Sequence, residues 1–139
     1  MISTELARAL RDSGLEWRPE IGDAFRIDRI EADADVFYLS DMTIEAHQFP
    51  TGTELGFNGT TEWALDSVAI EDALWMPAEG QLRQLLGSAF VALKATDAGC
   101  SVTARVAGQP ESFTADTAED AYARALLALL DEIVPPELD

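Results

Sequence analysis

The sequence has very few of the residues that build most catalytic and metal sites. Among its 139 residues there is one cysteine, Cys100, and one histidine, His47. A single cysteine excludes an intramolecular disulfide and a cysteine-based zinc site within one chain. Cys100 opens a predicted strand after a glycine turn, a setting more typical of a small buried side chain than of a nucleophile. The composition therefore points away from disulfide scaffolds and zinc-binding folds.

The sequence also lacks the longer patterns that mark membrane spans and common active sites. No run approaches the roughly 18 apolar residues that a membrane span needs, and the N-terminus has no apolar stretch of signal-peptide length. We therefore expect a cytoplasmic protein with no membrane contact. No phosphate-binding loop, dinucleotide glycine pattern or Gly-x-Ser-x-Gly elbow occurs. We predict no catalytic residues, no metal and no cofactor, and a non-enzyme is favoured over an enzyme.

Positive charge is scarce as well. The chain has 26 acidic and nine basic residues, a formal net charge of −17, and the excess of acids occurs in both halves. Phosphate binding needs Lys or Arg to replace counterions, so direct nucleic-acid binding is not expected. The charge would suit a basic protein partner, although acidity can also serve solubility alone.

The first half reads as a helix followed by an antiparallel meander. Residues 2–13 predict a helix that Ser3 or Thr4 caps and that Ser13-Gly14 closes. Strands are predicted at residues 24–27, 36–39, 42–49 and 54–57, with 36–39 and 42–49 as the best pair. Residues 60–65 predict a further strand or a helix entry. Residues 66–73 are ambiguous between alternating Val68 and Ile70 and a helical turn, with the turn favoured.

The second half starts from a central helix. Pro77 is expected at or near its first turn, Leu82, Leu85 and Leu86 form its apolar stripe, and Gly87 ends it. Three short antiparallel strands follow at residues 90–95, 100–106 and 111–115. Asp116 or Thr117 then caps a last helix from Ala118 to about Ile133, with a broad buried face. We predict one α+β domain over residues 1–139. It has two β-rich halves, about 1–66 and 74–134, which the central helix joins, and the C-terminal helix packs on the sheet.

Candidate binding residues are few. Trp63 and Trp75 are either core or contact residues, since Trp is both highly buried on average and enriched at interface hot spots. His47 lies on the predicted wet face of its strand, two residues from Glu45, so a general base or metal ligand is imaginable there. We take Trp63, Trp75 and His47 as the candidate binding residues.

Three function classes follow from this pattern. The favoured one is a non-catalytic protein-binding or regulatory module that meets a partner protein, with a basic protein as the candidate. The second is a small ligand-binding domain or enzyme with a pocket between the two halves. The third is an acidic mimic of nucleic acid. The sequence assigns neither a process nor an oligomeric state.

Several segments resemble one family. They are Met1–Ala7, Glu62-Trp63-Ala64-Leu65-Asp66, Leu74-Trp75-Met76-Pro77, the spaced Gln81-Leu82 and Leu85-Leu86-Gly87, and residues 121–127. Together they resemble a family of small actinobacterial proteins often labelled pilus-assembly proteins. The resemblance spans nearly the whole chain. Its motifs are structural, so it implies no functional residues, and the phosphate-binding loop of an ATPase is not among them.

Overall fold

The computed structural model describes residues 1–27, 36–39, 44–49, 52–57, 67–69 and 72–133, and for residues 44–49, 52–57, 67–69 and 133 it describes the backbone alone. By its internal contacts the chain divides into two compact units. One, the discontinuous unit, comprises Met1–Glu16 and Pro77–Asp139, and the other, the internal unit, comprises Trp17–Met76. The single-domain organisation stays a prediction, and the two units follow other boundaries than the predicted halves.

The predicted α+β class is confirmed: the described residues form three α-helices and three antiparallel sheets of three strands each. The helices are α1 (Thr4–Asp12), α2 (Glu79–Leu86) and α3 (Ala118–Ile133). The strands of the internal unit are β1 (Ala24–Ile27), β2 (Phe37–Tyr38), β3 (Ile44–Phe49), β4 (Gly52–Phe57), β5 (Ser67–Ala69) and β6 (Ala73–Trp75). Those of the discontinuous unit are β7 (Phe90–Thr96), β8 (Gly99–Val106) and β9 (Gln109–Ala115). No helix among the described residues is long and apolar enough to cross a membrane.

Helix α3 organises the discontinuous unit, because α1, α2 and the β7–β8–β9 sheet all pack against it. Ala121, Tyr122 and Ala123 are consecutive and all buried. Since successive helical residues are about 100° apart, burial of three in a row covers roughly 200° of the helix circumference. Such a wide apolar face is what a helix needs when it has partners on more than one side. The predicted packing of the C-terminal helix on the sheet is confirmed.

The three-stranded sheet has one face covered by α3. The register aligns Leu93, Val102 and Phe113 across the strands, and Val102 is fully buried under the helix. Because side chains alternate along a strand, the next row faces the other way. That row holds Lys94, Ser101 and Thr114. The sheet is thus apolar towards α3 and polar on its other face.

Two helix caps in this unit are linked to each other. Ser3 caps α1, as predicted, by accepting a hydrogen bond from the Leu6 N–H at 3.3 Å, and Thr117 Oγ1 caps α3 through the Asp120 N–H at 3.2 Å. The Asp120 carboxylate in turn accepts a hydrogen bond from the Ser3 N–H at 2.8 Å. A carboxylate at a helix N-terminus is favoured by the helix dipole. One acid therefore serves the first turns of two helices.

The central helix α2 differs from its prediction in its apolar stripe. It begins at Glu79, with Ala78 as N-cap residue, so Pro77 lies before the helix and is fully buried. The Ala78 N–H donates to Gln81 Oε1 at 2.9 Å, which fixes this start two residues after the proline. Leu82 and Leu86 are buried, but Leu85 is 40% exposed, so it does not belong to the buried stripe. Gly87 ends the helix with a φ of 58°, as predicted.

The internal unit contains two of the sheets, with strand orders β2-β1-β6 and β3-β4-β5. The first sheet has a small core of buried side chains, which are Phe25, Ile27, Leu39 and Ala73. Trp17 and Phe37 are partly buried and pack against this core.

The predicted pairing of residues 36–39 with residues 42–49 is wrong for the residues that the structure describes, since β2 and β3 lie in different sheets. Strand β2 pairs with β1, and β3 pairs with β4. The Leu39 N–H donates to the Asp23 carbonyl and the Gly22 N–H donates to the Leu39 carbonyl, both at 2.9 Å, so the β1 ladder continues past β2. Alternation identified both strands, but a strand's partner is decided by where its apolar side chains are buried. For β2 that place is the core beside Phe25.

The ambiguous stretch at residues 66–73 contains extended segments. Ser67–Ala69 pairs with β4, and Ala73 begins the strand that pairs with β1. The favoured helical turn is therefore wrong at Ser67–Ala69 and at Ala73, where the alternation of Val68 was the better signal, but Asp72 does lie in a 3₁₀ helix. The predicted element at residues 60–65 lies outside the described residues.

Truncation of Leu126 tests the packing of α3 on the sheet. This side chain is 4% exposed, so Leu126→Ala leaves a cavity and should lower the free energy of unfolding by about 2–5 kcal/mol. Leu85→Ala is the matched control, because the same truncation at a 40% exposed helix position should cost far less. Urea denaturation of both variants measures the difference, and equal losses would contradict the placement of α3.

Replacement of Asp120 tests the linked caps. Asp120→Ala should lower the free energy of unfolding by about 0.5–2 kcal/mol, the range for losing a capping acceptor. Asp120→Asn keeps an oxygen acceptor for the Ser3 N–H and should lose less. If the two variants unfold at the same denaturant concentration, the hydrogen bond to Ser3 contributes nothing to stability.

Candidate functional site

One stretch of this acidic chain contains no acid at all. Residues 80–96 contain two basic residues, Arg83 and Lys94, and all 26 acids lie elsewhere. With 26 acids in 139 residues, about one position in five is acidic, so three would be expected in a stretch of this length. The stretch covers nearly all of α2 and all of β7. We call the exposed side chains of residues 80–96 the acid-poor surface.

The acid-poor surface carries unusually exposed apolar side chains. Leu85 on α2 is 40% exposed, and Val91 and Leu93 on β7 are 45% and 38% exposed. These are three of the six large apolar side chains that are exposed among the described residues. Depletion of charge together with exposed apolar groups distinguishes the cores of protein interfaces from ordinary surface.

A stack of three side chains supports the start of β7. The guanidinium of Arg83 lies over the ring of Phe90, 4.4 Å from its centroid, and the ring of Phe90 stacks on Tyr122 at a centroid distance of 5.9 Å. The cation is attracted by the face of the ring, and the two rings fix its position. Arg83 is exposed and Tyr122 is buried, so the stack connects the acid-poor surface to the core of the discontinuous unit.

The surroundings of the stack change the pKa of Tyr122. Burial raises the pKa of its hydroxyl above the ordinary 10.0, and the nearby carboxylate of Glu79 raises the pKa further, while Arg83 lowers it. Burial acts in this way because it disfavours the phenolate. The Tyr122 hydroxyl is therefore neutral at physiological pH.

Strand β7 is an edge of its sheet. Among the described residues it pairs only with β8, from Phe90↔Ala104 to Thr96↔Gly99, with an irregularity between Phe90 and Ala92. Helix α3 packs chiefly on β8 and β9. Leu93, although it lies on the helix side of the sheet, is therefore left partly uncovered. The strand presents both unpaired backbone groups and apolar side chains.

The opposite face of the sheet is lined by hydroxyl groups. Thr103 Oγ1 and Ser112 Oγ lie 2.9 Å apart and share a hydrogen bond across β8 and β9. The register brings Arg105 opposite Pro110 and Lys94 opposite Ser101. This face of the sheet is therefore polar.

Of the predicted binding residues, the structure describes Trp75 in full and His47 by its backbone, both in the internal unit. Trp75 ends β6, and its ring stacks on Trp17 at 6.4 Å with an interplanar angle of 11°. Its indole N–H is buried and has no hydrogen-bond partner among the described residues. Only the backbone of His47 is described, paired with Glu54, and Trp63 lies outside the described residues. The grouping of Trp63, Trp75 and His47 as a binding site stays a prediction.

Trp17 is held by a buried carboxylate. Its indole N–H donates to Asp23 Oδ2 at 2.9 Å, and the Glu20 N–H donates to the same oxygen at 3.0 Å. Asp23 is only 5% exposed, so these bonds offset the cost of burying its charge. The arrangement fixes the loop before β1 and orients Trp17 against Trp75. Because Asp23 Oδ2 already accepts these two hydrogen bonds, we assign the Asp23 carboxylate a structural role.

No group of three or more histidine, cysteine or acidic residues in the described part of the chain could hold a metal ion. The acid-poor surface was missed by sequence reasoning, because the numbers of acids and bases were compared between the two halves of the chain and the spacing of the acids was not considered. The signal that could have found it is the interval between Glu79 and Asp97, which is the longest in the sequence without an acid.

The pKa of Tyr122 predicts how stability depends on pH. The folded chain holds this proton more tightly than the unfolded chain, so the resulting stability is present below the ordinary pKa of 10.0 and is lost as the pH rises through the folded value. Tyr122→Phe removes this group, so the urea midpoint of the natural chain should fall more steeply above pH 10 than that of the variant. Parallel curves above pH 10 would show that the hydroxyl ionises equally well in both states.

No family model, no curated protein and no solved structure matches the chain. The resemblance to small actinobacterial proteins labelled pilus-assembly proteins therefore stays an expectation, and function has to be argued from the chain's own surface.

Proposed function

We propose that this chain is a non-catalytic protein-binding or regulatory module whose partner docks on the acid-poor surface. The observation that carries the proposal is the coincidence of charge and exposure. The longest stretch without an acid is also the stretch where Leu85, Val91 and Leu93 are exposed. A chain that needed acids only for solubility would have no reason to omit them around exposed apolar groups, where they would help most.

The remainder of the surface supports a second kind of contact. Because all 26 acids lie outside residues 80–96, a basic partner would be attracted to the rest of the chain and not to this surface. A basic partner is therefore a separate proposal with a different salt dependence. Direct binding to nucleic acid is not proposed, since a net charge of −17 repels phosphate. We place the module in the cytoplasm, where a chain with the one cysteine Cys100 needs no disulfide.

Acidification of the acid-poor surface tests the proposal. The double variant Val91→Glu and Leu93→Glu introduces two carboxylates at exposed positions, so the chain should still fold, which circular dichroism and thermal unfolding verify. Proteins retained by the immobilised natural chain from a lysate of its source organism should be retained at least tenfold less by the variant. We expect this contact to persist at about 1 M salt, where the Debye length is roughly 3 Å.

Thr114→Glu is the matched control. Thr114 is an exposed strand residue of the same sheet, on β9, and its replacement adds a carboxylate away from the acid-poor surface. The control should retain the same proteins as the natural chain. If both variants retain a protein equally and salt releases it, that protein binds the acidic remainder and the proposed docking surface is wrong.

A further inference from the structure

We propose that Arg83 determines specificity on the acid-poor surface by binding a partner-protein segment that presents one carboxylate beside an apolar side chain. The inference rests on the proposed function, since it names the chemistry of the partner. It starts from the guanidinium of Arg83, which is exposed and lies over the ring of Phe90, 4.4 Å from the centroid. That ring stacks on Tyr122, which is 1% exposed, so the core supports the ring that holds the cation.

Arg83 has no acidic partner in the described part of the chain. Glu79 lies one turn before it on α2, at a spacing where Glu and Arg often pair, yet the structure records no ion pair between them. Residues 80–96 supply no acid either. Contact with the face of a ring and hydrogen bonds to a carboxylate use different parts of a guanidinium. Arg83 can therefore still donate to a carboxylate that a partner brings.

The irregularity in β7 places an apolar side chain on the same face of the sheet as Phe90. In a regular strand, residues three apart face opposite sides. Here Phe90 is aligned with Ala104 and Leu93 with Val102, and these two residues of β8 are both fully buried on the side of α3. An irregularity of this kind re-aims the side chains that follow it. Leu93, which is 38% exposed, therefore lies on the side where Phe90 holds the cation.

The net charge of the chain limits the partner to a single carboxylate. A charge of −17 repels an anion more strongly the more charge that anion carries, so nucleic acids and other polyanions are excluded. One carboxylate meets the least repulsion, and its paired hydrogen bonds to a guanidinium form only at contact. Leu93 adds an apolar contact beside it. The partner segment that fits is an acidic side chain next to an apolar one, with no further acids.

Selection from a random peptide library tests this preference. The natural chain and Arg83→Gln are immobilised, and the peptides that each retains at physiological salt are sequenced. A net charge of −17 by itself selects Lys and Arg, so enrichment of Asp or Glu beside an apolar residue runs against the field of the whole chain. We expect this enrichment with the natural chain and not with Arg83→Gln.

Lys94→Gln is the matched control. It removes one positive charge, as Arg83→Gln does, but from the row of the sheet that faces away from α3. Both replacements lie at exposed positions, so both variants should unfold at the same temperature as the natural chain. Lys94→Gln should select the same acidic peptides as the natural chain, which separates the contact of Arg83 from a change in net charge.

A double-mutant cycle on one selected peptide measures the contact itself. Replacing the acid of the peptide by the corresponding amide should weaken binding to the natural chain roughly tenfold or more, because a hydrogen bond between charged groups is lost. The same replacement should leave binding to Arg83→Gln unchanged. Titration calorimetry gives the four dissociation constants. Equal losses with the two chains would show that the acid contacts another residue and would overturn the inference.

Phe90 acts through Arg83 and is a positioning residue. Phe90→Tyr keeps an aromatic face beneath the guanidinium and should keep the preference for acidic peptides. Phe90→Leu keeps an apolar side chain but removes the ring, so acids should lose their enrichment while apolar residues are still selected. Equal enrichment of acids by these two variants would contradict the positioning by the ring.

The failure of this inference differs from that of the proposed function. Retention of no peptide, or of peptides without enriched acids, overturns the inference. If the Val91→Glu and Leu93→Glu variant loses a protein that Arg83→Gln still retains, the acid-poor surface docks a partner and only the chemistry inferred for that partner is wrong. If the double variant loses no protein, the docking surface itself is wrong.

Discussion

Burial of α3 is the constraint on which the rest of the discontinuous unit depends. Its buried face is wide enough to pack against α1, α2 and the β7–β8–β9 sheet, so each of those elements needs only one apolar side. The small side chains of Ala121, Ala123 and Ala125 are all fully buried, which lets neighbouring elements approach closely. Dispersion and the hydrophobic effect then act over a large contact area. The Asp120 carboxylate, in the first turn of α3, also orients α1 against α3. It does so by accepting a hydrogen bond from the Ser3 N–H at the start of α1.

How far the sequence predicts this structure depends on whether a signal is local. The helices at Thr4–Asp12 and Ala118–Ile133 and the strands at Phe90–Thr96, Gly99–Val106 and Gln109–Ala115 were predicted closely, because caps, turns and alternation lie within the segments themselves. The partner of β2 was not, since it depends on the burial of Leu39 beside Phe25. The exposure of Leu85 was missed for the same reason. A helix with one neighbouring element on its apolar side needs only Leu82 and Leu86.

The candidate site could be predicted only in part, and from a different signal than the one used. Tryptophan and histidine attract attention because their chemistry is versatile, but Trp75 lies in a stack with Trp17 that a structural role explains. What marks the acid-poor surface is an absence of acids between Glu79 and Asp97, and an absence becomes informative only against a strongly acidic background. That the same residues are exposed could not be read from the sequence. In the sequence, large apolar residues such as Leu85, Val91 and Leu93 look the same whether they are buried or exposed. Their exposure follows from where α3 lies.

Charge and edge protection together explain how such a surface can persist. An exposed edge strand is normally a liability, and both edges of this sheet carry protective features. Strand β9 has Pro110 and Glu111, and β7 has Lys94 and an irregularity between Phe90 and Ala92. At β7 the short-range attraction of exposed apolar side chains is also opposed by the long-range repulsion between chains of net charge −17. This repulsion extends over a Debye length of about 8 Å at physiological salt, whereas apolar contacts act only at close range. The charge on the rest of the chain therefore limits random collisions between copies at the acid-poor surface.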